Sequence, residues 1–202
     1  MIIEVDEYKE KVVGYEAEKS EDFHIESARL ADKDFINHLK TGKYKRVILM
    51  AGGTASGKTE FATSYLIHKD QLVYDGTLKN FEGFQIKYKN IMKYTKGLAK
   101  IKIVLIIPAN FDDAFKIFHN RKRKMKLETF FDTQIRSRQT VAKILIETKV
   151  RVEVYSSVYS SSKDKLQYTR INITNRKDVA ENLIKTVDEF YKNLRNLLNI
   201  NI

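Results

Sequence analysis

The stretch Arg46-Val-Ile-Leu-Met-Ala-Gly-Gly-Thr-Ala-Ser-Gly-Lys-Thr59 joins an apolar run to a cluster of glycines. An unbroken apolar run from Val47 to Ala51 suits a strand buried on both faces of a parallel sheet. The residues after it are Gly52, Gly53, Thr54, Ala55, Ser56, Gly57, Lys58 and Thr59, which match G-x-x-x-x-G-K-[ST] in full. A loop of this kind turns several backbone N–H groups inward around a phosphate, in conformations that glycine tolerates. A helix starting at once behind it presents its positive end to the anion. Lys58 then reaches the β- and γ-phosphates of a nucleotide, and the Thr59 hydroxyl ligates Mg2+. The competing reading is a plain Gly-rich turn. The apolar strand before the loop and the helical spacing of Phe61, Ala62, Tyr65 and Leu66 after it favour the phosphate loop.

Working outward, Leu72-Val-Tyr-Asp75 reads as a second short strand, and a right-handed βαβ unit sets it parallel to the first. Asp75 then lies on the same sheet edge as the phosphate loop, where ligands of α/β folds bind. A carboxylate there could accept a proton from an attacking hydroxyl, or hold Mg2+ directly or through water. The alternative is a turn-forming Asp75-Gly76 pair at a strand end. Ile101–Ile107 is the clearest strand, and Pro108, the only proline, stops it. It ends in Pro-Ala-Asn and lacks the acid that motor-type ATPases carry there, which points to a phosphotransferase. Helices are predicted over Glu21–Leu39 (capped by Ser20, with Gly42 beyond its end), Phe81–Lys96, Asp112–Arg121, Leu127–Thr148 and from Asn175 onward. Val150–Tyr155 and Tyr168–Ile173 read as strands joined by a Ser/Lys-rich loop. Strands alternating with helices predict an α/β fold with a mostly parallel sheet.

The chain has 202 residues, 37 Lys and Arg against 26 Asp and Glu, and a formal net charge of +11. One domain with additions fits this length. Gly and Pro are scarce, which excludes collagen-like and linker-like classes, and three of the eight glycines fall in the phosphate loop. The absence of Cys excludes a disulfide framework and a thiolate zinc site. His24, His38, His68 and His119 show no metal-binding spacing. The acidic start and the short apolar runs argue against a signal peptide or a membrane span, so a cytoplasmic protein is expected. The positive excess asks for an anionic partner. Part of it lies in His119-Asn-Arg-Lys-Arg-Lys-Met-Lys126, where Arg121 and Arg123 could close as a lid over the transferring phosphate. A solvated run at a helix end and a nucleic-acid patch are the other readings. Arg136 and Arg138 are weaker lid candidates. Tyr155, Tyr159 and the serines between them, Ser156 and Ser157, could flank an adenine, although a flexible loop suits them better.

The run from Val47 through Gly-Lys-Thr-Glu-Phe-Ala62 resembles zeta-toxin-type P-loop kinases. So do Phe23 and Ala31-Asp32 in the helix before it, and the acid-ended second strand, Arg-bearing segment and long helix after it. The resemblance spans roughly residues 20–175. It implies a three-layer kinase fold with a central five-stranded parallel sheet, ATP with Mg2+ as donor, and the 3′-hydroxyl of a UDP-N-acetyl amino sugar as acceptor. It assigns the nucleotide roles to Lys58 and Thr59, the general base to Asp75 and the lid to Arg121 and Arg123. It also implies a small antitoxin as partner. This chain departs from the pattern at Gly76-Thr77, where a second acid is frequent. The organisation expected is a helical extension over 1–45 packed on a kinase domain over 46–202. The alternatives are a nucleic-acid-associated P-loop protein and a nucleotide-binding switch without transfer chemistry.

Overall fold

The computed structural model describes residues 1–16, 19, 21–119, 125–160 and 165–197. Six strands form one sheet: β1 (Ile2–Glu4), β2 (Arg46–Ala51), β3 (Gln71–Asp75), β4 (Lys100–Pro108), β5 (Arg151–Ser160) and β6 (Lys165–Ile171), in the order β1-β3-β2-β4-β5-β6. All neighbours are parallel except the β5–β6 pair. The helices are α1 (His24–Lys40), α2 (Lys58–Tyr65), α3 (Phe81–Tyr94), α4 (Phe111–His119), α5 (Leu127–Glu147) and α6 (Arg176–Leu197).

The period-2 alternation of the strands sorts their side chains into two layers. Val47, Leu49, Leu72, Ile103, Leu105 and Val154 pack on the side of α1, α3, α5 and α6. Ile48, Met50, Val73, Val104 and Ile106 pack on the other side, against Phe61, Ala62 and Leu66. The sheet is therefore sandwiched, with a thick helical layer on one face and α2 on the other. A third cluster, around Phe130, Phe131 and Phe190, joins α4, α5 and α6 beyond the sheet.

The sheet has six strands and not the five expected. The extra one, β1, pairs its Ile2, Ile3 and Glu4 with Val73, Tyr74 and Asp75. Three residues carry no periodic signal, so only the open edge of β3 makes them a strand. The first 45 residues are thus helical in α1 but begin in the sheet. α1 starts at His24, and its N-cap, Phe23, makes no side-chain cap; Ser20 lies outside the described residues. β5 also runs past the predicted end at Tyr155, because pairing with β6 draws Ser156 and Ser157 into the ladder. The expected cap at Asn175 is formed, and Asn80 caps α3 as well, each accepting a backbone N–H through its side chain. Among the described residues, no helix is long and apolar enough to cross a membrane.

Candidate active site

β2 and β3 run parallel in the register Leu49↔Tyr74, so the glycine loop and Asp75 leave the same edge of the sheet. The loop has a curled backbone: Gly52, Ala55 and Gly57 all have positive φ. Successive N–H groups in such a curl converge on a concavity suited to an anion. Gly57 (φ +83°) is also the N-cap of α2, and a Cβ there would overlap Leu166 and Tyr168 of β6. A Cβ on Gly53 would collide with Gln134 of α5. Glycine is therefore required at the first for conformation and at the second for room.

Four side chains from distant segments hold this loop. Thr133 Oγ1 accepts the Thr54 N–H at 3.0 Å, and Gln134 Nε2 donates to the Thr54 carbonyl at 2.5 Å. Ser157 Oγ donates to the Ser56 carbonyl, and Tyr168 OH donates to the Gly57 carbonyl, both at 2.8 Å. Thr133, Gln134 and Tyr168 are not legible as site residues, since nothing local to their segments refers to residues 54–57, and Ser157 reads only as a possible adenine flank. The spacing Leu166-x-Tyr168 is the one local sign that a face of β6 packs inward.

Inside the loop, Lys58 Nζ donates to the Gly53 carbonyl at 3.0 Å. Thr59 Oγ1 donates to Asp75 Oδ2 at 2.7 Å. Asp75 is 4% exposed, and its Oδ1 has no hydrogen-bond partner among the described residues; nor has the buried Ser56 Oγ. Burial raises the Asp75 carboxyl above the usual carboxylate range; Lys58 and the Thr59 hydroxyl oppose the shift, while Asp6 and Glu60 add to it. Two buried oxygens lacking partners beside a cation cost stability unless a ligand satisfies them. Ser56 and Asp75 line a cavity of about 440 Å³ together with Asp6, His24, Thr77, Lys79 and Lys87. Ile117 of α4 and Leu166 of β6 supply apolar surface to the same cavity.

The structure thus brings Gly52 through Thr59 and Asp75 together. Arg121 and Arg123 lie outside the described residues. The two other lid candidates are placed elsewhere: Arg136 pairs with Asp132 on its own helix, and Arg138 is fully buried. Tyr155 is in β5 with its ring against Phe61, 4.6 Å between centroids, and Tyr159 too is a strand residue, so neither belongs to a loop. Asp112 and Asp113 occupy the first turn of α4, where they complement its dipole. Thr59 and Asp75 offer oxygen ligands of the kind Mg2+ uses together with water and substrate phosphates. No group of three or more His, Asp or Glu among the described residues could hold a metal unaided.

No protein-family model matches this chain, and no curated protein is similar to it in sequence. Solved structures similar in shape include two of the AvrRxo1 complex. One is the AvrRxo1-ORF1:AvrRxo1-ORF2 structure with sulphate ions, at a TM-score of 0.48 and 9% identity over 75% of this chain and 71% of that one. The other is the native AvrRxo1-ORF1:-ORF2 complex, at 0.47 and 9% over 78% and 72%. A likeness this distant assigns no chemistry to the chain.

Proposed function

We propose that the protein is an ATP-dependent phosphotransferase acting on a small-molecule hydroxyl. The observation that carries this reading is a glycine loop with positive φ at Gly52, Ala55 and Gly57 next to a buried carboxylate, Asp75, whose Oδ1 lacks a partner among the described residues. The loop N–H groups and the start of α2 bind the β- and γ-phosphates. Lys58 leaves the Gly53 carbonyl and neutralises charge gathering on the γ-phosphoryl oxygens. The Thr59 hydroxyl would hold Mg2+, which when bound would screen the phosphate charges. The acceptor hydroxyl loses its proton to an Asp75 oxygen while its oxygen forms a bond to the γ-phosphorus. The bond from that phosphorus to the bridging oxygen breaks, and ADP departs. A carboxyl whose affinity for protons is raised by burial is a stronger base for this step.

The resemblance to zeta-toxin-type kinases suggests a UDP-N-acetyl amino sugar as acceptor, Arg121 and Arg123 as lid, and a small antitoxin as partner. The test is a mass-spectrometric screen for ATP-dependent phosphorylation over nucleotide sugars and other hydroxyl metabolites. Wild-type protein should transfer phosphate and Lys58→Ala should not. Absence of both ATP binding and transfer in the wild type overturns the reading.

A further inference from the structure

We propose that Arg138 is a positioning residue for the nucleotide loop, acting through the side chain of Gln134 on the Thr54 carbonyl. The inference rests on the phosphotransferase reading for its importance to binding, but its geometry is independent of it. Arg138 is 1% exposed and lies one turn beyond Gln134 on α5. Its Nη1 donates to both the Gln134 carbonyl and Gln134 Oε1, each at 2.7 Å. With Oε1 engaged by a cation, the Gln134 amide can present only its NH2 group to the loop, and Nε2 donates to Thr54 O. Polarisation by the charge strengthens that second bond. Gln134 is itself completely buried and occupies the space that a Cβ on Gly53 would need. The loop backbone therefore rests on a side chain whose orientation Arg138 sets.

Stability does not account for this arginine. Among the described residues it forms no ion pair; Glu189 acts on it only through space. Its Nε has no hydrogen-bond partner among them either, and the guanidinium lies 4.5 Å from the Phe190 ring centroid. Burial pulls its pKa down to about 9, which still leaves it charged at neutral pH. Replacing it by an apolar residue of similar volume relieves that desolvation but leaves Gln134 Oε1 without its donor, so the two effects on stability oppose each other. What such a replacement removes is the hold on Gln134, and with it the hold on the loop.

The experiment compares wild type, Arg138→Met and Gln134→Glu by thermal melting, by hydrogen exchange of the 50–58 peptide without nucleotide, and by ATP binding with Mg2+. Gln134→Glu gives Arg138 a carboxylate partner but turns an acceptor toward Thr54 O, so it tests the relay in a protein that retains the arginine and gains a charge pair. Both variants should exchange the loop amides faster than any change in melting temperature accounts for, with α5 exchange tracking global stability, and bind ATP about tenfold more weakly, the effect of one buried hydrogen bond. Unchanged loop exchange in both variants overturns the relay. So does a fall in melting temperature large enough to account for faster exchange across the whole of α5. If wild type binds no ATP, the functional reading fails, and loop exchange still decides the relay.

Discussion

The two sides of the site are built on different physics. On the phosphate side, neutral hydrogen bonds and close packing from α5, β5 and β6 fix the loop at Thr54, Ser56 and Gly57. On the acceptor side, charge organises the wall. Lys87 pairs with Asp32 at 2.8 Å and lies over the Tyr74 ring, Lys79 meets Asp132 at a loose 3.5 Å, and Asp75 is dehydrated beside Lys58. A surface held by shape keeps one geometry over a wide pH range. A surface held by charge responds to protons and salt. In the proposed reaction, the donor phosphates meet a preformed cradle and the acceptor meets an electrostatically tuned wall.

The sharpest way to break this contrast is Asp75→Asn, which keeps the shape and removes the charge. Turnover should fall by about 10²–10⁴-fold, the usual contribution of a general base. The protein should nevertheless melt higher at neutral pH. The folded-state pKa of Asp75 is raised, so the folded protein binds that proton more tightly than the unfolded chain does. Stability therefore declines as pH rises from the ordinary carboxylate range through the raised value, and Asn escapes the decline. The gain in melting temperature should vanish in acid. For the same reason the acidic limb of the wild-type rate profile should lie above the ordinary carboxylate range. A variant that loses activity and stability together at pH 7 would show Asp75 to be structural.

Next in size is Lys58→Ala, expected to lower transfer by about 10²–10³-fold, as for other lost charge-stabilising groups. Initial rates at saturating acceptor measure it, and the melting temperature should hardly move. On the shape-held side, Gly57→Ala combines a left-handed φ with a collision against Leu166 and Tyr168. It should cost about 1–3 kcal/mol of stability, read by denaturant unfolding, and weaken ATP binding at every pH. The smallest effect belongs to Tyr168→Phe. Losing one hydrogen bond to Gly57 O should cost about 1 kcal/mol, because Phe61 N–H still donates to the same carbonyl. A pH-dependent loss in either variant would break the contrast between the two sides.

Local pattern carried much of the fold. The apolar runs at 47–51, 72–74 and 101–107 placed three central strands, and the spacing around Phe61 and along Ala180, Leu183 and Val187 placed α2 and α6. The phosphate-loop motif and Asp75 emerged from residue types and βαβ geometry. Strand β1 was invisible because three residues have no period and depend on a partner edge. The extension of β5 was hidden because Ser156 and Ser157 resemble loop residues until β6 lies beside them. Arg138 looked like a mobile lid cation, since one more Arg in a basic stretch of helix gives no sign of being buried.

By itself the sequence determined the alternation of strand and helix, the glycine loop with its lysine and threonine, and the sheet edge on which Asp75 emerges. All three are set by residues near one another along the chain. Tertiary structure alone decided what grips the loop, because Thr54, Ser56 and Gly57 meet partners 79 to 111 residues away. It alone decided the state of Asp75 as well. Whether a carboxylate is hydrated or stripped of water depends on what packs around it, and here that includes Lys58, Thr59 and the N-terminal segment carrying Asp6.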